Sequence, residues 1–377
     1  MPRPTPRPVG RLIFIDLLRA FAILMMLQGH FIDTTLVETA RDENNLIYWS
    51  WRFMRGLTAP VFFSITGLVF TFLLLRENKP PSESKRFRKG LRRAWMLLLW
   101  GTLLKVNVFV LMAGHLPAWY YSLDVLHCIG LSLLAICGLF ALGHRLRLPL
   151  WPLFLVLGIG IFLLDPWRLS LDFSVLPQVL ANLFTNEYGS QFTIFPWLGY
   201  CLFGGAVGCL LKVRPQLALG HWLPLVFLLV GWCCFFHSSW ALNQLYQLTD
   251  WPVFRNVAYN NYLFIRLGQV WLCFALFMWV VPRVKNIPAL LPKVGSETLT
   301  IYCVHYVILY STWFGIGISR YWQGGLDGPT AAAGALLFVL AHVFMIQWIE
   351  PIRSFIYSIP NWAQTRVLRM YRRLATR

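Results

Sequence analysis

Long apolar segments separated by short polar loops occur along the whole chain. A run of about twenty apolar residues is the length that an α-helix needs to cross the hydrocarbon core of a bilayer. Because runs near that length recur from start to finish, the pattern predicts an all-α, polytopic membrane protein. The clearest runs lie at 57–75, 94–113, 131–142, 149–164 and 223–236.

These runs predict about ten transmembrane helices in one membrane domain, residues 1–351. An even number of spans is expected because both ends of the chain are basic and should face the same side. The remaining residues, 352–377, alternate apolar side chains with arginines and predict an amphipathic cytoplasmic tail on the membrane surface. The predicted spans are 12–36, 57–75, 94–113, 123–143, 149–165, 193–211, 221–240, 262–281, 297–318 and 330–350.

Composition and charge agree with a membrane protein. The chain is 58% hydrophobic and only 13% charged, with a formal net charge of +18. Such basicity could indicate a nucleic-acid partner, but Lys and Arg are about four times as frequent in one alternate set of loops as in the other. This is the positive-inside pattern, so we expect both termini in the cytoplasm of a bacterial inner membrane and no nucleic-acid partner.

The eight cysteines fall inside or at the ends of apolar spans, where they act as small buried hydrophobic side chains. Their spacing matches no metal site, so we expect no disulfide and no metal. The first span is not a cleavable signal peptide, since Asp16 and Arg19 interrupt its apolar run. Membrane lipids are the expected surroundings, and a homodimer is left open.

A polar stripe on the first span is the first candidate for a functional site. Arg19 and His30 are eleven positions apart, which brings them to within about 20° on a helix, separated by about 16 Å along its axis. Asp16 and Asp33 extend the stripe by one turn at each end. Ionisable groups at membrane depth are costly unless they are paired or hydrated, so this face should meet a protein interior or a wet cavity.

His30 has the properties of a general base at neutral pH, with Asp33 one turn away to orient its ring. Arg19 lies deeper toward the cytoplasm, where it could align an anionic cosubstrate. Alternatively, Arg19 forms an internal salt bridge with Asp16 that orders the bundle, and His30 is a structural histidine satisfied by polar neighbours.

Two further spans carry candidate catalytic groups. Asp124 and His127 are three residues apart near the outer end of the fourth span, and His305 lies inside the ninth. With His30, they suggest a shared cavity that opens outward. In the loop before the third span, Arg86, Arg88, Arg92 and Arg93 could bind the phosphates of a nucleotide cosubstrate, anchor the loop on anionic lipid, or do both.

These residues resemble the transmembrane acyltransferase superfamily, specifically the heparan-alpha-glucosaminide N-acetyltransferase type. The spacing from Arg19 to His30 is also similar to that of membrane acyltransferase family 3. The resemblance extends from residue 11 to about residue 310. The matching segments are 11–19 with His30, 59–67, 124–130, 195–200 and 295–305.

The resemblance implies transfer of an acyl group, in particular acetyl, from cytoplasmic acyl-coenzyme A to a sugar amine or hydroxyl of a glycan or glycolipid on the outer side. Acetyl-CoA or another acyl-CoA would be a cosubstrate, with no permanently bound cofactor. His30, Asp33, Asp124, His127 and His305 would be catalytic. The cosubstrate would be bound by Asp16, Arg19, Arg86, Arg88, Arg92 and Arg93.

One departure limits the resemblance. The family's lysosomal enzyme has a further functional histidine in the first outer loop, whereas residues 38–56 of this chain contain none. Glucosamine specificity is therefore not carried over. The competing interpretations are a non-catalytic transporter or permease, disfavoured because no Gly/Pro-broken pair of spans is evident, and a membrane scaffold.

Overall fold

A computed structural model describes residues 12–115, 117–218 and 220–350 of the protein. Within these ranges the chain is helical, and its only β-type pairings are two isolated bridges. The predicted all-α architecture is therefore confirmed. The predicted tail at 352–377 lies outside the described residues.

The helices follow one another with mostly short connections, and a π-helical turn at Cys233–His237 joins two of them without a break. They are α1 (Ile13–Thr35), α2 (Leu46–Arg55), α3 (Thr58–Leu74), α4 (Lys85–Leu104), α5 (Val108–Met112), α6 (Val125–Leu146), α7 (Leu150–Leu169), α8 (Gln178–Ala181), α9 (Ile194–Val213), α10 (Trp222–Trp232), α11 (Ser238–Thr249), α12 (Pro252–Tyr259), α13 (Tyr262–Val280), α14 (Leu290–Ser296), α15 (Thr298–Tyr310), α16 (Thr312–Gly315), α17 (Ile318–Trp322) and α18 (Gly328–Gln347).

Eight helical segments of the described residues are long and apolar enough to cross a membrane. Each overlaps one of the predicted spans, and together they make the chain an integral membrane protein. The other two predicted spans, 94–113 and 297–318, do not form continuous helices.

The first of these spans is broken at 105–107. Helix α4 ends at Leu104, and the short α5 starts afresh at Val108, where the Asn107 side chain accepts hydrogen bonds from the backbone amides of Phe109 and Val110. The second span is broken after Tyr310, because Ser311 has a φ of 56° and cannot continue a right-handed helix.

The two breaks lie against each other. The backbone amide of Trp313 donates to the Val106 carbonyl at 2.9 Å, and its indole Nε1 donates to the Leu103 carbonyl, also at 2.9 Å. Irregular backbone at membrane depth requires such partners, because lipid offers none. Each broken span therefore supplies hydrogen-bonding groups that the other lacks.

Helices α3 and α9 pack closely at the centre of the main core. A Cβ atom on Gly67 would lie 1.9 Å from the Cys201 carbonyl oxygen, and one on Gly204 would lie 1.8 Å from the Ser64 carbonyl oxygen. Only glycine permits this approach of two backbones, as in other small-residue contacts between membrane helices.

Helix α1 is held at both ends. At its start, a Cβ on Gly295 of α14 would lie 1.8 Å from the Asp16 carbonyl oxygen. At its finish, the Leu326 amide donates to the Thr35 carbonyl at 2.8 Å, and the Val37 amide donates to the Leu326 carbonyl at 2.8 Å. The face of α1 that carries Arg19 and His30 is therefore fixed within the bundle.

The long helices alternate in direction, so their connections form two sets. We call the end where α1 begins and α3 finishes the basic end, and the opposite end, where α1 finishes at Thr35, the loop end. Hydrogen bonds such as that from the Gln191 amide to the Leu123 carbonyl, 3.0 Å, tie loop-end segments together. The loop end includes 36–45, 105–124, 170–193, 250–261 and 311–327, and the basic end includes 75–84, 147–149 and 284–289.

Candidate functional site

A cavity of about 780 Å³ lies inside the helix bundle. Its lining extends from Leu73 and Arg93, toward the basic end, to Trp119 and Gln191 at the loop end. The two broken spans border the loop-end part, where Asn107 and Thr312 are also lining residues. One cavity therefore extends through much of the bundle, from the level of Arg93 to the loop-end segments.

Arg19 and His30 both line this cavity, as their spacing on one helix face predicts. The guanidinium Nη2 of Arg19 donates to the Thr298 hydroxyl at 3.0 Å, which fixes the direction of the arginine at the start of α15. Because the two residues lie about three helical turns apart, they contact different parts of the cavity.

His30 is surrounded by residues from α15. Its Nδ1 lies 2.5 Å from the Tyr310 hydroxyl, and its ring centroid lies 5.4 Å from that of His305. Tyr302, Tyr306 and Tyr310 also line the cavity. Their spacing of four residues places three hydroxyl-bearing rings on one face of α15.

Asp33 does not orient His30 as expected. Its carboxylate forms an ion pair with the Arg55 guanidinium, whereas the His30 ring pairs with Tyr310. Arg55 reaches this position by passing close to Gly29, where an added Cβ would lie 3.3 Å from the arginine Cγ. The carboxylate is thus used to hold α2 against α1, and Asp33 is not among the cavity-lining residues.

Asp124 and His127 form the N-terminal capping box of α6. The Asp124 carboxylate accepts from the His127 backbone amide at 3.0 Å and lies 2.7 Å from His127 Nδ1. The other ring nitrogen, Nε2, lies 3.1 Å from the Thr102 hydroxyl of α4. Neither residue lines the cavity, so the geometry assigns the pair to joining α4 and α6, and a catalytic role stays a prediction.

His305 is completely buried behind His30. Among the described residues, neither of its ring nitrogens has a hydrogen-bond partner, and its ring packs at 4.9 Å from that of Tyr302. It is not a lining residue of the cavity. Direct contact with a substrate is therefore not supported, although His305 does fix the position of the His30 ring.

The predicted cosubstrate-binding residues fall into two groups, those that line the cavity and those that do not. Arg93 and Arg19 line the cavity, whereas Asp16 is buried outside it. Arg86 interacts with Glu77, whose carboxylate also accepts from the Ser84 hydroxyl at 3.0 Å and so fixes the start of α4. The side chains of Arg88 and Arg92 are exposed and do not line the cavity.

Two residues that line the cavity were not identified as functional candidates from the sequence. Arg55 is in an outer loop segment that gives no sign of reaching His30. Lys105, within the third predicted span, lines the cavity, and its ammonium donates to the Ser122 hydroxyl at 3.0 Å. The four-residue spacing of the tyrosines was the one available signal for the α15 face.

The charged side chains lining the cavity all carry positive charge. They come from both ends of the bundle, and none of the described lining residues is Asp or Glu. In a low-dielectric surrounding, such an arrangement attracts an anionic ligand. The residues are Arg19, Arg55, Arg93 and Lys105.

Comparison with known families supports the resemblance seen in the sequence. A family model described as heparan-alpha-glucosaminide N-acetyltransferase, catalytic, matches residues 11–243, a segment that contains Arg19, His30 and Arg93. Comparisons with the curated proteins and with the solved structures find no significant match. Because the family match covers more than half of the 377 residues, the chain belongs to the heparan-alpha-glucosaminide N-acetyltransferase family of membrane acetyltransferases.

Proposed function

We propose that this protein transfers an acyl group, acetyl in the first instance, from acyl-coenzyme A to an amine or hydroxyl of a glycan on the other side of the membrane. The observation that carries the proposal is the single cavity whose lining includes Arg93, Arg19 and His30 and continues to the loop end. A donor and an acceptor could therefore meet inside the protein without either crossing the membrane.

The donor would enter from the basic end, which the positive-inside rule assigns to the cytoplasm. Arg93 would bind its phosphates, and Arg19 would align the pantetheine arm. The rise of about 16 Å from Arg19 to His30 suits an extended arm that brings the thioester to the histidine. Positioning of this kind supplies much of the rate of a group transfer.

His30 would act as general base. It takes a proton from the acceptor nitrogen or oxygen as that atom attacks the thioester carbonyl carbon, and the C–S bond then breaks. His30 returns the proton to the departing thiolate, so coenzyme A leaves as the thiol. A covalent acyl-histidine is the alternative course, in which His30 itself attacks the thioester first.

The acceptor would enter from the loop end. Trp119 offers an aromatic surface there, and Gln191 and Ser122 offer hydrogen-bonding groups along the same lining. Aromatic faces and polar side chains are the usual combination for binding a sugar ring. The proposal places the enzyme in a bacterial inner membrane with a glycan or glycolipid acceptor outside.

Transport is the second candidate function, favoured by the two broken spans beside the cavity. Broken helices mark the substrate sites of many transporters, and sequence analysis missed both breaks. However, the hydrogen bonds from Trp313 to Leu103 and Val106 join the breaks to each other. This pairing gives the Leu103 and Val106 carbonyls a partner without an ion or substrate.

The deciding experiment is acyl transfer by detergent-purified protein. With acetyl-CoA labelled in the acetyl group, the wild-type protein should form free coenzyme A and acetylated glycan, and His30→Ala should lose at least about 100-fold of the rate, in the range of a removed general base. His221→Ala, at an exposed histidine outside the cavity, is the matched control. If the wild type neither binds nor consumes the thioester, the enzyme proposal fails and transport becomes the better hypothesis.

A further inference from the structure

We propose that Tyr302 and Tyr306 bind the two amide groups of the donor's pantetheine arm and so fix the depth at which the thioester stops beside His30. The inference rests on the proposed function, because it assigns residues to the donor of that reaction. It makes one face of α15 the part of the site that recognises pantetheine thioesters. Both tyrosines lie outside residues 11–243, the segment that the family model matches.

Helices α1 and α15 run side by side in the same direction. Arg19 Nη2 donates to the Thr298 hydroxyl at 3.0 Å, and farther along, His30 Nδ1 lies 2.5 Å from the Tyr310 hydroxyl. The two contacts are eleven residues apart on α1 and twelve apart on α15, which correspond to rises of about 16 Å and about 18 Å. All four residues line the cavity, so the two helices form one wall with a cation at one end and the histidine at the other.

Tyr302 and Tyr306 occupy this wall between the two contacts. Because α15 rises about 6 Å every four residues, they lie roughly one third and two thirds of the way from Thr298 to Tyr310. Their rings form a continuous row, with centroids 5.9 Å apart between Tyr302 and Tyr306 and 4.9 Å apart between Tyr306 and Tyr310. Each ring is therefore held in place by its neighbour.

The hydroxyls of these two tyrosines are available for a ligand. Tyr302 is only 9% exposed, and both Tyr302 and Tyr306 line the cavity. Within the part of the chain that the structure describes, neither hydroxyl has a hydrogen-bond partner, whereas that of Tyr310 is bonded to His30. A phenol can donate one hydrogen bond and accept others, so each free hydroxyl can bind the carbonyl or the N–H of an amide.

The wall contributed by α6 cannot serve the amides. Its described lining residues are all apolar, namely Val125, Leu126, Ile129 and Leu133. An amide that leaves water for such surroundings costs free energy unless it finds a hydrogen-bond partner. The tyrosine hydroxyls of α15 supply that partner, and the apolar wall suits the methyl and methylene groups of the arm.

The spacing of the hydroxyls fits the arm. Its two amides are separated by a β-alanine unit, which is about 5 Å long when extended, and successive tyrosines are about 6 Å apart along α15. The amide nearer the thioester is also about 5 Å from the reacting carbonyl, and Tyr306 lies one helical turn before Tyr310, the partner of His30. The register therefore pairs Tyr306 with the amide nearer the thioester and Tyr302 with the amide nearer the phosphates.

Binding of coenzyme A to the detergent-purified protein tests the inference without turnover. Tyr302→Phe and Tyr306→Phe each keep the ring and should weaken binding about 5-fold, the scale of one lost hydrogen bond. The double variant should lose about 25-fold, because the two amides are separate groups. Isothermal titration calorimetry measures the dissociation constants, and Tyr321→Phe, at an exposed tyrosine outside the cavity, is the matched control.

Adenosine 3′,5′-bisphosphate is the control ligand, because it carries phosphates of the donor's nucleotide but no pantetheine arm. Its binding should be the same in the wild type and in both tyrosine variants. Equal losses for coenzyme A and for the bisphosphate would indicate a general change in packing and would overturn the inference.

The register is tested with S-acetyl-N-acetylcysteamine, a short donor that keeps only the amide nearer the thioester. In transfer assays, Tyr306→Phe should lower kcat/KM for this donor about 5-fold, whereas Tyr302→Phe should leave it near the wild-type value. Equal losses in the two variants, or a loss in Tyr302→Phe alone, would overturn the assignment of the two amides.

The binding measurement also separates this inference from the proposed function. A wild-type protein that does not bind coenzyme A would refute both. A wild type that binds coenzyme A, together with a double variant that binds it equally well, would overturn the inference alone and leave the proposed acyl transfer intact.

Discussion

Arg92 and Arg93 are neighbours in the chain, but only Arg93 lines the cavity. Consecutive residues of a helix point about 100° apart, so one can reach the cavity while the other points away from it. We expect Arg93→Ala to raise the KM for acetyl-CoA about 10-fold, the scale of one lost charged hydrogen bond to a phosphate. Steady-state kinetics of the purified protein measure it.

Arg92→Ala is the matched comparison for this prediction. Its effect on KM should be clearly smaller, because the Arg92 side chain does not line the cavity. Equal increases in the two variants would show that the donor phosphates lie on the surface of α4 and not at the mouth of the cavity.

Single residues also show what the sequence could and could not predict. The common face of Arg19 and His30 follows from helix geometry, and the structure confirms it. The partner of His30 does not follow, because Tyr310 is 280 positions away and local spacing favoured Asp33. The Asp33 carboxylate pairs with Arg55 of another helix instead. A contact between helices that are distant in the chain cannot be recognised from a single sequence.

At the scale of elements, the contact between α3 and α9 determines the position of the cavity wall. Gly67→Ala should destabilise the protein by about 1–3 kcal/mol, because a methyl group would collide with the Cys201 carbonyl and force two backbones apart. Gly138→Ala is the control, since an added Cβ there would meet nothing within 4 Å. Thermal unfolding in detergent, monitored by the loss of the monodisperse peak, compares the stabilities of the two variants.

A glycine-to-alanine change usually favours a helix, so the control should be neutral or slightly stabilising. If Gly67→Ala unfolded at the same temperature as the wild-type protein, the backbones of α3 and α9 could not be in the close contact described above. Gly204 of α9 makes the corresponding approach to Ser64 of α3, so the contact depends on glycines of both helices.

The broken spans show where helix prediction from apolar pattern fails. Residues 94–113 are apolar enough to predict one continuous helix, and 105–107 contain neither glycine nor proline. The break is stabilised because Trp313 supplies hydrogen bonds to the carbonyls of Leu103 and Val106. Such compensation comes from tertiary structure, so hydrophobicity cannot reveal it.

Trp313 should therefore contribute more to stability than the packing of its ring alone. Trp313→Phe keeps an aromatic ring but removes the indole donor to the Leu103 carbonyl, at an expected cost of about 1 kcal/mol. Trp322→Phe, at a tryptophan that is 52% exposed, should cost less. Thermal unfolding measures both, and an unchanged midpoint for Trp313→Phe would mean that the indole hydrogen bond does not hold the two breaks together.

For the whole molecule, the direction of the proposed reaction depends on which end faces the cytoplasm. The cavity extends from the level of Arg93 to the loop end, and its geometry alone would serve transfer in either direction. We propose the direction from the excess of Lys and Arg at the basic end, because positively charged loops are generally retained in the cytoplasm during insertion. The chemistry of the cavity and the topology of the chain are thus separate properties, and each needs its own test.

Cysteine labelling tests the topology with a matched pair of serines. Ser174 and Ser82 are both exposed, in the loop-end segment after α7 and the basic-end segment before α4. A membrane-impermeant maleimide applied to intact right-side-out vesicles should label Ser174→Cys, because the proposed orientation places that loop outside, and should label Ser82→Cys only after permeabilisation. The unsubstituted protein gives the background of its native cysteines. The reverse pattern would place Arg93 and the proposed donor mouth outside the cell, where acyl-coenzyme A is not supplied, and would refute the proposed direction of transfer even if purified protein were active.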